Sequence, residues 1–483
     1  GNKSVAIGKQ ALATQNFTTA TDTFNTAVGH NAGYAVTTGV QNTLIGGLAG
    51  DALTTGGGNI AIGYEALSTE DAHGHNTAIG YQALKTLDAG ANSRNVAVGY
   101  QAGLDMTTGI RNVLTGTFAG ANLIAGSNNV AFGEQALTTD RNGSHSTALG
   151  HAALASQDFA TAADSNNTAV GHNAGLLITT GVLNTLVGSL AGDALTVGNS
   201  NVAVGTLALT TDTKGDQSVA IGNNALSAQN FTTSVDAYNV AVGAEAGNDI
   251  TTGQRNVIMG GRAGHKLTDC SHNTGIGDQA LTTDTLGAKS TAVGSGALAT
   301  QNFTTATDSF NTAVGYYASV GITTGRYNTI VGALCCGSMQ TNVEMTAVGY
   351  GLAATSQTGR AREIVIGSNG TGGGSNTARF ITSQGSATLG IDGSDTSWAA
   401  ASDSRLKKEI ANSTVGLEFI KDLRPVTFKW NAKNAIADSL PQYVANSSDP
   451  VYGEGKAHHG FIAQEVKAVI DSHSDVVDGH NLW

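Results

Sequence analysis

The sequence predicts a mainly β protein: a parallel β-solenoid, or β-roll, of about 20 rungs, followed by a small α+β domain. Three observations predict it. A 72-residue super-repeat, built from smaller units that open with Asn-x-Ala-Val/Ile-Gly, starts its units at Ser4, Asn25, Asn42 and Asn59 and restarts at Asn76, Ser146, Ser218 and Ser290. Each opening alternates, with a β-branched or apolar residue at every second place. Composition shifts near residue 363, with all 3 Pro and all 3 Trp beyond it. A short repeat that cannot bury its own apolar face must stack on its neighbours, and such stacks bind or span more often than they catalyse.

Between Ser4 and Arg362 there are 20 units, most of them 17 residues long. The fifth residue is Gly in all of them, from Gly8 through Gly349; the first is Asn in 15; the eighth is Ala in 18, with Cys335 and Leu352 as exceptions. In Asn25 to Gly29, Thr26 and Val28 point one way and Asn25, Ala27 and Gly29 the other, which is a short strand. The fixed Gly suits a corner that needs positive φ or close backbone approach. Thr37-Thr38-Gly39 and Thr138-Thr139-Asp140 supply a second bend, so each unit makes one coil. A helical solenoid fails because the units carry several Gly, many β-branched residues and no apolar stripe at 3.6 spacing. Asn stacked in register predicts amide ladders between coils.

The units are also grouped in fours. The ninth residue runs Leu12, Gly33, Gly50, Leu67 and keeps that order through Leu281, while the third is enlarged once per cycle, at Leu44, Leu114, Leu186, Ile258 and Ile330. The first unit of most cycles has 21 residues, with four extra around Phe17, Phe159, Phe231 and Phe303; the second cycle has a 19-residue version, Asn76 to Arg94, without the Phe. Insertions in solenoids map to loops on one face. An aromatic-bearing projection is therefore expected about every 19 Å along a stack on the order of 95 Å long. These Phe are either contact residues or anchors of their loops.

The net charge of -12 disfavours nucleic acid and anionic membrane surfaces. No stretch approaches the roughly 20 apolar residues of a membrane span, and no signal peptide is visible. The chain opens on Gly1, three residues before a unit, and reads as trimmed at its N-terminus. Cys335 and Cys336 replace the usual Ala and Gly of their unit and read, with Cys270, as small buried residues rather than a disulfide framework. No metal or cofactor is expected. His458-His459 has no Cys or carboxylate at ligand spacing, and the turns at Asp140, Asp212 and Asp284 do not match a calcium repeat. Gly370 to Ser375 reads as a linker, and no carboxylate pair is placed for glycan cleavage.

Three C-terminal segments carry a different pattern. They are Ser402 to Ile410, Leu417 to Trp430, and His458 to Val466. Leu417, Ile420 and Leu423 suit a short helix stopped by Pro425, with Val426, Phe428 and Trp430 alternating as a strand. Ile462, Val466, Val469 and Ile470 fall on one face of a second helix. In this order the segments resemble the endosialidase-type intramolecular chaperone, found at the C-terminus of phage tail fibres, tailspikes and some other trimeric surface proteins. The division implied is a shaft over 1–362, a transition over 363–401 and a chaperone domain over 402–483, which stops short of the family's usual C-terminal helices.

The resemblance implies trimerisation followed by self-cleavage at Ala401–Ser402, with Ser402 as nucleophile and Lys407 as its partner. The chemistry is a single-turnover serine endopeptidase. The Ser hydroxyl needs a base, and a Lys serves when desolvation or nearby cations, here Arg405 and Lys408, lower its pKa. The repeat motif also resembles the β-roll heads of trimeric autotransporter adhesins. Both likenesses imply a parallel homotrimer, with the small face of Ala27 and Gly29 as the expected place of chain approach.

The function expected is a trimeric adhesive fibre of a virion, a phage tail fibre that attaches to a host-surface glycan or protein, without nucleic-acid binding or membrane insertion. The alternatives are a cell-surface adhesin that uses the same chaperone, an ice-binding solenoid with Thr-rich rungs, and a glycan-depolymerising tailspike.

Overall fold

The computed structural model describes residues 1–359, 362–391, 398–400, 417–438, 443–451 and 457–473. The chain divides into two compact units, Gly1–Ala400 and Ala401–Trp483.

The first unit is a parallel β-solenoid. Each repeat contributes a three-residue strand, such as Thr26–Val28, Thr43–Ile45 and Ile60–Ile62. Successive strands pair in register, Ala27 beside Leu44 and Leu44 beside Ala61. Among the described residues this sheet has 24 strands, and every pairing but the last two is parallel. The ladder continues beyond the last repeat through Ile364–Ser368 and Thr377–Thr382, and then turns antiparallel through Gly385–Gly390. The Gly370 to Ser375 stretch is consequently not a free linker. The Gly372 amide donates to the Ala353 carbonyl at 2.9 Å, and the Gly374 amide donates to the Glu363 carboxylate at 2.8 Å.

The fixed fifth-place Gly is required twice over. Gly29 has φ +141°, and a Cβ there would lie 2.4 Å from the carbonyl oxygen of Gly46 in the next coil. No side chain fits between coils stacked this closely. The ninth place obeys a different rule. Leu12 and Gly33 are both left-handed, at φ 49° and 59°, so backbone conformation does not choose between them; core volume does. A Cβ on Gly33 would lie 2.6 Å from Leu44 Cδ1, and one on Gly50 would lie 2.8 Å from Leu44 Cδ2. Where the third residue is Leu, the ninth of that unit and of the unit before it is Gly. Where neither that unit nor the next has an enlarged third residue, a ninth-place Leu such as Leu67 fills the space, at about 1–2 kcal/mol for its left-handed backbone. The four-unit cycle conserves core volume.

The core runs inside the coil, among Ala27, Ala32, Val36, Leu44 and Leu53, all without solvent exposure. This corrects the expected face of chain approach: Ala27 is fully buried in its own coil's interior, Gly29 abuts the Gly46 backbone of the next coil, and the outward residues of the strand are Thr26 and Val28. The Asn ladder is also different in kind. Asn25 Oδ1 accepts from the Asn42 amide at 2.9 Å, and Asn25 Nδ2 donates to the Gly39 carbonyl at 2.8 Å. Asn42 repeats both bonds to Asn59 and Gly56. The stack is linked side chain to backbone, with direct amide-to-amide bonds only at certain steps, such as Asn328 Nδ2 to Asn311 Oδ1 at 3.1 Å.

The second unit holds two helices, α1 (Leu417–Asp422) and α2 (Ala463–Ser472), and a two-stranded antiparallel sheet of Val426–Phe428 with His458–Gly460. Pro425 follows α1, as the sequence predicts, but the first strand ends at Phe428 rather than reaching Trp430. Surface ion pairs tie the pieces together: Arg424 Nε to Glu465 at 3.0 Å and His473 Nε2 to Asp422 at 2.9 Å. None of the described residues of this unit is buried. Among the described residues, no helix is long and apolar enough to cross a membrane.

Candidate assembly site

The inserted loops are built on a buried polar network that the strand pattern does not reveal. The twelfth residue of the unit before each insertion is acidic. Asp140 accepts from the amides of Gly143 at 2.9 Å and Phe159 at 3.3 Å, and from Gln157 Nε2 at 2.6 Å. Gln157 also donates to Ser146 Oγ at 3.0 Å and accepts from Asn167 Nδ2 at 2.9 Å. Asp212 with Gln229, and Asp284 with Gln301, repeat this at 2.6 and 2.5 Å. The network also accounts for Ser rather than Asn opening the inserted units, since the Gln amide occupies the place of the Asn amide. Burial pushes the Asp284 carboxyl above its ordinary range, against the lowering effect of the Gln301 and backbone donors.

These bonds bring each loop down onto the coil. Short parallel pairs form beneath it, Gly143–Ser144 with Ala163–Asp164 being one. Phe159, Phe231 and Phe303 are buried, and Phe17 is half-buried. The expected aromatic projections are therefore anchors. The three turn Asp are satisfied by internal donors, which accounts for them without calcium.

Donor atoms of Glu70, Asp71, His73 and Asp88 lie within 4.8 Å of one another. This group belongs to the irregular second cycle, where Glu70 takes the place of Asp140 and Leu87 that of Gln157. Glu70 is satisfied by the His73 amide at 3.0 Å and by Nδ1 at 3.1 Å. His459 Nδ1 contacts Thr427 Oγ1 at 3.1 Å, and the His458 ring stacks on Phe428 at 5.7 Å. Cys335 and Cys336 are fully buried and Cys270 nearly so. Burial pushes the Cys270 thiol up to about 12 and raises the other two thiols as well, so all three are protonated at neutral pH. Thr hydroxyls in the turns bond along the stack: Thr179 donates to the Thr196 carbonyl at 3.1 Å, and Thr196 to the Thr213 carbonyl at 2.9 Å.

In the second unit, apolar side chains face outward. Leu417, Ile420, Phe461 and Trp430 are 66, 59, 52 and 40 % exposed. A cavity of about 520 Å³ lies between the strand end and the start of α2, lined by Phe428, Trp430, Phe461 and Ile462 among others.

Residues 402–475 match the family described as chaperone of endosialidase. The C-terminal segment resembles an intramolecular chaperone. The chaperone match covers a minor part of the chain, and its first residue is Ser402. No curated protein and no solved structure matches the chain. Ser402 and Lys407, with Arg405 and Lys408, lie outside the described residues. The repeat shaft and the chaperone segment together fit a fibre that carries its own assembly domain.

Proposed function

We propose that this chain is the subunit of a homotrimeric adhesive fibre, a phage tail fibre that attaches to a glycan or protein of the host surface. Its C-terminal chaperone brings three chains together in parallel and then cuts itself off at Ala401–Ser402. The observation that carries the reading is the pairing of a long self-cored solenoid with a chaperone-like segment in which no described residue is buried. Such a segment is stable only when other copies cover it.

In the cleavage step, Ser402 Oγ attacks the Ala401 carbonyl carbon as Lys407 takes its proton. The peptide C–N bond breaks, and the Ser402 amine leaves with a proton. Water then hydrolyses the ester formed between the Ala401 acyl group and Ser402 Oγ, completing release. The test is expression of the gene with its natural C-terminus, followed by a denaturing gel and N-terminal sequencing. A fragment that begins at Ser402, absent in Ser402→Ala and Lys407→Ala, is expected. Intact wild-type chain after folding would overturn the self-processing part of the reading.

A further inference from the structure

We infer that the outward face of the solenoid's parallel strands is the surface through which three copies of this chain pack, in register, along the length of the shaft. The inference rests on the homotrimer reading above and names the residues that make it.

The second and fourth residues of every repeat point out of the coil. The second residue is Val, Ile or Thr in all 20 units, from Val5 and Thr26 through Thr346. The fourth is Val, Ile, Leu, Met or Phe in all but one, the exception being Thr115. No charged residue interrupts either column. Ile7 is 59 % exposed and Phe132 53 %, with Ile45, Ile60, Val113, Leu149, Ile221, Met259 and Val348 also exposed. The columns continue past the repeats through Ile364 and Ile366 to Phe380, which is likewise exposed.

A strip two side chains wide along this ladder is ~100 Å by ~10 Å, on the order of 1,000 Å². The largest apolar patch on a typical monomer is about 300–600 Å², and a stable interface takes roughly 800 Å² from each partner. The strip, whose second-residue column is Thr in 11 of 20 units and whose fourth-residue column is apolar save for Thr115, is large enough to hold an assembly. Its occupant follows from its uniformity. It is uncharged rung after rung, with Thr, Val or Ile in one column and an apolar residue in the other save at Thr115, so a matching surface must have the same strand spacing, the same length and no charge. A copy of this chain running in the same direction meets all three conditions. The other outward faces, which carry charged residues such as Glu65, Arg141 and Lys289, do not.

The test uses the full chain. Sedimentation equilibrium of the wild type is expected to give a trimer. Val204→Lys combined with Ile221→Lys places charges on two adjacent rungs of the strip and is expected to weaken association at least tenfold. Thr206→Lys with Asn223→Lys, on exposed residues just past the same strands, is expected to leave it unchanged. Should the lysine pair fail to fold, Val202→Cys and Val204→Cys serve as milder probes. On oxidation, at least one is expected to join chains on a non-reducing gel, because like residues meet across the axis, while Thr206→Cys does not. The native thiols are buried and stay out of the reaction. A monomeric wild type overturns the homotrimer reading itself. A trimeric wild type whose strip variants remain trimeric and uncrosslinked overturns the interface and leaves that reading standing.

Discussion

The two units of this chain solve the burial problem in opposite ways. In the solenoid, each coil covers the next, and residues such as Leu44, Leu114 and Leu186 lose all contact with water within one chain. In the C-terminal unit, Leu417, Ile420 and Phe461 remain exposed, and none of the described residues is buried. The difference teaches where cooperativity resides. Solenoid stability is a sum of nearest-neighbour terms inside one molecule, whereas in the proposed fibre the C-terminal unit depends on the concentration of its partners. A repeat whose coils all look alike has no internal signal for the register between chains. In the proposed assembly the C-terminal segment supplies that signal.

The largest effect that tests this contrast is a block to coil stacking. In Gly188→Ala the new Cβ would lie 2.5 Å from the Gly205 carbonyl oxygen, at a φ of +137°. Strain at such a site costs at least about 2 kcal/mol, and the clash adds to it. Denaturant unfolding is expected to show a loss that does not change with protein concentration. Removing the loop anchor comes next. Asp140→Ala leaves the Gln157 amide and the Phe159 N–H without their buried acceptor, at about 2–4 kcal/mol. Hydrogen exchange is expected to rise in residues 157–165 and to leave distant coils protected.

The C-terminal unit is expected to respond in the other manner. Phe461→Ser removes an exposed apolar ring, so a lone chain loses little. Trimer yield is expected to fall by roughly 30-fold, the equivalent of about 2 kcal/mol for an aromatic anchor at an interface. A matching loss of stability in the dissociated chain would place that ring in an intramolecular core instead.

The smallest effect is a pH dependence of the shaft. Burial raises the folded-state pKa of Asp284 above the ordinary carboxyl value of 3.8. The folded chain therefore holds this proton more tightly than the unfolded one. The resulting stability is fully present below pH 3.8 and is lost as pH rises through the raised value. Comparing denaturant midpoints of wild type and Asp284→Asn from acid to neutral pH is expected to show the wild type losing ground as pH rises. A difference that is flat in pH would remove this role for burial.

Much of the solenoid was legible in the sequence because its constraints are local and repeated. The alternation around Ala27, the fixed Gly at Gly29 and the Leu12–Gly33–Gly50–Leu67 cycle each report one physical requirement many times. The direction of the strand faces was misjudged. Small residues at Ala27 and Gly29 suit either a narrow coil interior or a close chain contact, and spacing alone does not separate the two. The signal that decides it is the unbroken β-branched column at Thr26 and its equivalents, which resembles a core pattern yet lies outside the coil. The Asp140–Gln157 network was missed for a different reason. Its partners sit 17 residues apart and become neighbours only once coil length is fixed, although the twelfth-place order of Gln, apolar, apolar, acid was there to be read. In the C-terminal unit, helix periodicity placed α1 and α2 well. The pairing of Val426–Phe428 with His458–Gly460 is a long-range contact that no local pattern encodes.

The most direct test of the central claim is hydrogen exchange read by mass spectrometry on the full chain across a dilution series, with the oligomeric state followed in parallel. The solenoid peptides, Ala148 to Val204 for example, are expected to stay protected at every concentration. Peptides covering Leu417 to Phe428 and His458 to Ser472 are expected to gain protection only where trimer forms. C-terminal peptides equally protected in the dissociated chain would contradict the account.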